Sequence, residues 1–197
     1  MPFQANVLHI MVASPGDCTE ERQAVSSSLQ DWNTKHAADM QVVLQPVLWE
    51  IDTYPEYREP QPSIDKQLLS IADMLVGIFR HTLGGSNAGG KSGTQHEIET
   101  AVAEGKPVHL YFSTIAIPHD GDLIAAQRLR EFKKSLQGKA LYREYATVEQ
   151  LAKNVQDHML SRIRSMIKSE ELRPPVTAEQ VRRIAQDVAD ATPARYG

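Results

Sequence analysis

The sequence predicts an α/β fold: a five-stranded parallel sheet with helices on both faces, wound in flavodoxin-like order. Two observations carry this. Short apolar runs alternate with segments of helical period, in the order β-α-β-α-β-α-β-α-β-α, and such alternation gives a parallel sheet whose crossovers cover its faces. One βαβ unit is complete in mid-chain: Asp73-Met-Leu-Val-Gly-Ile-Phe79, a polar loop, a helix opening at Ser92-Gly-Thr-Gln-His-Glu97-Ile98, and Gly105-Lys-Pro-Val-His-Leu-Tyr-Phe112. In open parallel sheets, ligands bind outside the carboxyl ends of the strands, beside helix amino ends. Glu97, in the first turn of this helix, is therefore expected at a site.

The elements follow in order. Val7–Ala13 is an apolar run that reads as a buried strand, broken by Ser14-Pro-Gly-Asp17,. Asp17 with Glu20 has the spacing of a capping box, so a helix is expected from there to about Thr34,. Val42–Trp49 is the second strand, and its internal Pro46 predicts an edge position or a bulge,. Glu50–Pro62 is a loop. Ser63 can cap a helix through Ala72 with Ile64, Leu68 and Ile71 on one face,. After the βαβ unit, whose helix Gly105 ends, a helix is predicted over Leu123–Gln137, a strand over Ala140–Ala146, and a long helix capped by Thr147. Along that last helix Val148, Leu151, Val155, Met159, Ile163 and Met166 recur at three and four,. Beyond it the texture changes. Arg173-Pro-Pro175 is a linker, and Val181, Ile184, Val188 and Ala191 give a short amphipathic helix. The expected division is one domain over 1–168, with 169–197 as linker and terminal helix.

Composition narrows the function classes. The 197 residues are 41% apolar and 23% charged, enough to bury a full core,. A net charge of -4 gives no basic footprint, so direct duplex-DNA binding is not expected,. No apolar run approaches a membrane span, and the amino terminus lacks a signal-peptide pattern. A single cysteine, Cys18, permits no intramolecular disulfide, and the expected location is the cytoplasm,. The seven histidines are scattered without ligand spacing, so no metal site is expected,.

Gly85-Ser-Asn-Ala-Gly-Gly-Lys91-Ser92 matches the phosphate-loop pattern G-x-x-x-x-G-K-[ST] between a strand and a helix,. Three features oppose that reading. Arg80-His-Thr-Leu-Gly84 separates strand from loop, Val108–Ser113 ends in serine rather than a magnesium-binding acid, and little sheet remains downstream. A flexible Gly/Ser loop over a site is the plainer reading. Glu97 also has two readings. Thr94-Gln-His-Glu97 spells a capping box, in which the glutamate would only satisfy backbone amides,.

A set of short motifs adds to this: Ala13-Ser-Pro-Gly-Asp17 with Glu20-Glu-Arg22, Pro46-Val-Leu-Trp-Glu50, Ala72-Asp-Met-Leu-Val-Gly-Ile-Phe79, Ser92-Gly-Thr94 with Glu97-Ile98, Gly105-Lys-Pro107 and Tyr111-Phe-Ser113. With them, the segment from Val7 to about Ile167 resembles the TIR-like domains of unknown function often fused to bacterial STAND-type ATPases. More distantly it is similar to nucleoside 2-deoxyribosyltransferases and to TIR-domain NAD hydrolases, which cleave N-glycosidic bonds. The resemblance implies catalytic carboxylates at Glu97, matching the nucleophile of the D-x-G-T-x-x-E-I pattern, and at Asp65. The first acid of that pattern is Lys91 here, which speaks against transfer to a free base but not against hydrolysis. Ser14, Pro15, Gly16, Asp17, Ser92 and Thr94 are expected to hold phosphate or hydroxyls beside helix amino ends. Trp49, with Tyr54 and Tyr57, is expected to stack on a base, and Arg80 and His81 to meet phosphates.

The chemistry suits a carboxylate. Breaking a C1′–N bond builds positive charge on the sugar, which a carboxylate stabilises or traps. The nicotinamide of NAD is already cationic, so its departure needs no general acid. The resulting expectation is a nucleotide N-glycosidase: an NAD-cleaving effector of bacterial antiphage defence that uses NAD as substrate and no cofactor. Self-association and an associated STAND-type ATPase are the partners the resemblance implies. The alternative is a catalytically silent module that senses a nucleotide or assembles partners.

Overall fold

The computed structural model describes residues 2–48, 68–85, 92–173, 175, 180–183 and 185–186. Five strands form one sheet: β1 (Asn6–Ala13), β2 (Val42–Val47), β3 (Met74–Phe79), β4 (Val108–Ser113) and β5 (Tyr142–Tyr145). All neighbours are parallel and the order is β2-β1-β3-β4-β5. This is the flavodoxin-like wind, with its switch point between β1 and β3. Four long helices connect or follow the strands: α1 (Thr19–Met40), α2 (Gly93–Ala103), α3 (Leu123–Ser135) and α4 (Val148–Lys168). Residues 68–71 are also helical, immediately before β3.

Strand alternation splits the core in two. Ile10 and Val12 of β1 face α1 and α4, where Val25, Leu29 and Trp32 meet Leu151, Val155, Met159 and Ile163. Met11 and Ala13 face the other side, with Leu68, Ile98, Ala101 and Leu129. β3, buried at every position, feeds both. The apolar stripe predicted for α4 is the buried face observed.

β2 is an edge strand, as Pro46 requires,. Its outer side is covered from α1. The Asn33 amide donates to the Leu44 carbonyl and accepts from the Leu44 N–H, both at 2.8 Å. An asparagine thus stands in for a missing strand. α1 runs six residues past the predicted end at Thr34, because Ala37 and Met40 still pack on the core, and it stops at Gln41 in the left-handed region at φ 53. β2 and β5 are shorter than predicted, each by two or three residues. Gly105, at φ +74, follows α2 as predicted,.

Two helices start where other residues cap them. α1 begins after Cys18, which makes no side-chain cap bond, rather than at Asp17. α2 is capped by Ser92, whose Oγ accepts from the Gln95 N–H at 3.1 Å. Asp122 and Thr147 cap α3 and α4, the latter as predicted. Of the terminal helix, 180–183 and 185–186 are helical and Val181 is half exposed, while Ile184, Val188 and Ala191 lie outside the described residues. No helix among the described residues is long and apolar enough to cross a membrane.

His109 on β4 couples the fold to pH. Burial first, then the charges of His158 and Arg162, push its pKa down from 6.5 to about 4. The unfolded chain therefore binds the extra proton between those values, and stability is lost as pH falls through that window. The expected loss approaches about 3 kcal/mol at its acid end. Denaturant unfolding of His109→Gln across the same window should show a flatter pH profile than the wild type.

Candidate functional site

The site forms at the β1/β3 switch point, where two chain crossings leave a crevice. β1 delivers Met11–Ala13 to its floor, and the loop Ser14-Pro15-Gly16 forms one wall. The opposite wall is the start of α2, with Gly93, Thr94 and Glu97. Gly84 and Gly85 close it from the loop after β3, and Arg22 enters from α1. The cavity is about 360 Å³, within the range of small-molecule sites.

Glycine sets this geometry at two points. A Cβ at Gly77 would stand 2.8 Å from Leu110 Cδ2 and 3.1 Å from Ile98 Cδ1, so a bare backbone lets α2 lie close on β3. Glu97 is the residue before Ile98, and this close seat holds it at the crevice. Gly84 adopts φ +92, which favours glycine, and a Cβ built there would lie 3.5 Å from Pro15 Cβ and 3.8 Å from Ser92 Cβ,.

Glu97 is 8% exposed, and Thr94 beside it is 6% exposed. Because Ser92 is the cap, Glu97 is the fifth residue of α2 and belongs to its second turn, not its first. The capping-box reading of Thr94 to Glu97 is therefore set aside: Ser92 and Gln95 occupy the cap and third positions, and the Gln95 side chain turns outward to Glu99 at 3.0 Å. No acid lies in the first turn of α2.

Arg22, the last residue of the Glu20-Glu-Arg22 motif, carries no expected role in the sequence. Its Nη1 donates to Ser14 Oγ at 3.0 Å and to the Pro15 carbonyl at 3.1 Å. These bonds fix both the guanidinium and the loop. The crevice thus holds a cation and a carboxylate on separate elements. Its only signal in the sequence is an arginine one turn into a helix that follows a Ser-Pro-Gly loop.

The other expected residues divide. Ser14, Pro15, Gly16, Thr94 and Glu97 come together here. Ser92 is next to the crevice as the cap of α2 and is not among its lining residues. Asp17 also turns away from it. Its carboxylate accepts from the His81 N–H at 3.0 Å and from Thr82 Oγ1 at 3.2 Å, tying the loop after β1 to the loop after β3. Asp17→Ala is expected to cost roughly 1–3 kcal/mol through these two lost bonds, measurable by urea unfolding. Arg80 and His81 line a neighbouring cavity of about 500 Å³ on the same carboxyl edge, with Arg130 and Lys133. Arg80 also forms ion pairs with Glu20 and Glu21 of α1, each at 3.6 Å. Asp65, Trp49, Tyr54, Tyr57 and Lys91 lie outside the described residues. Cys18 is buried, and burial pushes its thiol well above the usual range, so it is no nucleophile,. Among the described residues, no group of three or more His, Cys, Asp or Glu side chains could hold a metal ion.

No curated protein matches the chain. Among solved structures, a short-chain flavodoxin associated with a bacterial microcompartment is similar at 13% identity and a TM-score of 0.36, covering 80% of this chain and 99% of that one. Residues 9–160, well over half of the chain, match a family described as a domain of unknown function, DUF4062. The chain is a member of that DUF4062 family.

Proposed function

We propose that the protein is a nucleotide N-glycosidase, with NAD as its foremost substrate, and that Glu97 is the group that stabilises or traps the sugar cation. The observation that carries this reading is the buried Glu97 in the switch-point crevice, in a helix whose cap is another residue. A carboxylate set in a partly dry crevice is electrostatically stronger towards a developing cation than one in water. Arg22 brings a positive charge to the crevice, and the N–H groups of Ser14 and Gly16 lie on its loop wall, a combination that suits a phosphate,. The nicotinamide leaves as a neutral base with the bonding pair, so its departure needs no acid, and water adds to C1′, directly or after capture by Glu97, and gives up its proton. Asp65 keeps its proposed place as a second carboxylate. The resemblance to TIR-like NAD hydrolases adds the defence context, self-association and a STAND-type ATPase partner to the proposal.

The test is a chromatographic screen of NAD, NADP and nucleosides incubated with the protein at high concentration and when tethered into clusters. Release of a free base from at least one of them is expected. No release from any of them, even when clustered, would favour the silent sensing or assembly module.

A further inference from the structure

A third cavity, with a mixed polar and apolar lining, lies toward the opposite end of the sheet. It is about 850 Å³ and opens between the first residues of β4 and β5 and the second half of α4. Strand alternation puts His109 and Tyr111 on one face of β4, and Tyr111 is in register with Arg143 of β5,. α4 contributes His158, Ser161 and Arg162, three and four residues apart and so on one helix face,. Tyr111 is buried, and its hydroxyl bonds His158 Nδ1 at 2.8 Å.

The lining itself carries only basic charge, and Arg162 is in addition paired with Glu171 outside it. No aspartate or glutamate is among the described lining residues. The nearby acids sit outside: Asp157 is beside His158 in sequence, and Glu171 accepts from Arg162 Nη2 at 2.9 and 3.2 Å. The Nε of Arg162 is buried with no hydrogen-bond partner among the described residues. A further edge of the opening is apolar, with Ala140 and the exposed Leu141, while the Tyr142 ring packs on the other face of the sheet against Phe112. Two guanidiniums, two imidazoles and a hydroxyl beside an exposed apolar surface fit a ligand that is anionic at one end and apolar at the other.

We propose that this cavity binds a phosphate-bearing small molecule with a flat apolar body, of the class of a mononucleotide, through Arg143 and Arg162. Arginine matches phosphate geometry with paired donors. His109 and His158 add a pH dependence. Both are held below the usual histidine range, by burial first. His158 and Arg162 then act on His109, and Arg143 acts on His158, which Asp157 partly offsets. Tyr111 is pushed up by burial and stays a neutral donor or acceptor. An anion between the arginines cancels their effect on the imidazoles, so binding takes up protons and tightens as pH falls. The site is separate from the Glu97 crevice and does not rest on the glycosidase reading.

The experiment is a titration of the whole chain with AMP and with inorganic phosphate, followed by NMR of the histidine ring resonances. His109→Gln and His158→Gln assign those signals. AMP should shift both rings saturably, bind more tightly than phosphate, and bind more tightly in mildly acidic than in neutral buffer. Arg143→Gln, an exposed position, should weaken AMP by about tenfold or more through the lost charge-assisted bonds. A Glu97→Gln protein should bind as the wild type does. Absence of saturable shifts at both rings, or AMP affinity unchanged by Arg143→Gln, would overturn the site. Equal affinity for AMP and phosphate would overturn the mononucleotide class.

Discussion

Arg80→Ala should lower the melting temperature by about 6–12 °C, whereas Arg80→Met combined with Glu21→Gln should restore most of it. The reason is Glu21, which is fully buried with no hydrogen-bond partner for either carboxylate oxygen among the described residues. Arg80 Nε stands 3.6 Å from it, itself buried and without a hydrogen bond. Removing the cation leaves a buried charge uncompensated, at a cost of roughly 3 kcal/mol or more. In a chain of this size each kcal/mol moves the midpoint by about 2–4 °C. Replacing both partners with neutral side chains of similar shape removes the charge and its cost together. The exposed Glu20 adds little to this. Arg80 is thus a structural cation first. An unchanged melting temperature with lost base release would return it to substrate binding.

Glu97→Gln should reduce base release by about a thousandfold or more while leaving the melting temperature close to that of the wild type. The amide keeps the side chain's shape and removes only its charge. The fold is protected because the cap of α2 is the Ser92 hydroxyl on the Gln95 N–H, which this change does not touch. Glu97→Ala should lose the same activity and also some stability, since it truncates a buried side chain of α2,. Stability loss in Glu97→Ala with activity intact in both variants would assign Glu97 to packing.

The sheet was legible because its evidence is local. Each strand is a short apolar run, and each crossover carries a helical period, so order and direction follow from connection rules. The position of Glu97 beside the crevice followed from the same βαβ unit. Its helical turn did not. Ser92 and Thr94 are both good caps two residues apart, and only the chain path decides between them. Asp17 failed similarly: it looks like a cap, yet its partners are His81 and Thr82, more than sixty residues on. Arg80 was expected to meet phosphates, while its buried partner is on α1. Arg22 was missed because its bonds to Ser14 and Pro15 depend on how α1 leaves the sheet. Pairings across elements are what residue types alone do not encode.

In the proposed reaction the charge of Glu97 drives cleavage of a C1′–N bond. The most direct test is the rate of nicotinamide release from NAD by clustered wild type and clustered Glu97→Gln, with thermal melting measured on the same samples. Release by the wild type, none above background by Glu97→Gln, and closely matching melting curves are expected. Release by Glu97→Gln at the wild-type rate would contradict that role for Glu97.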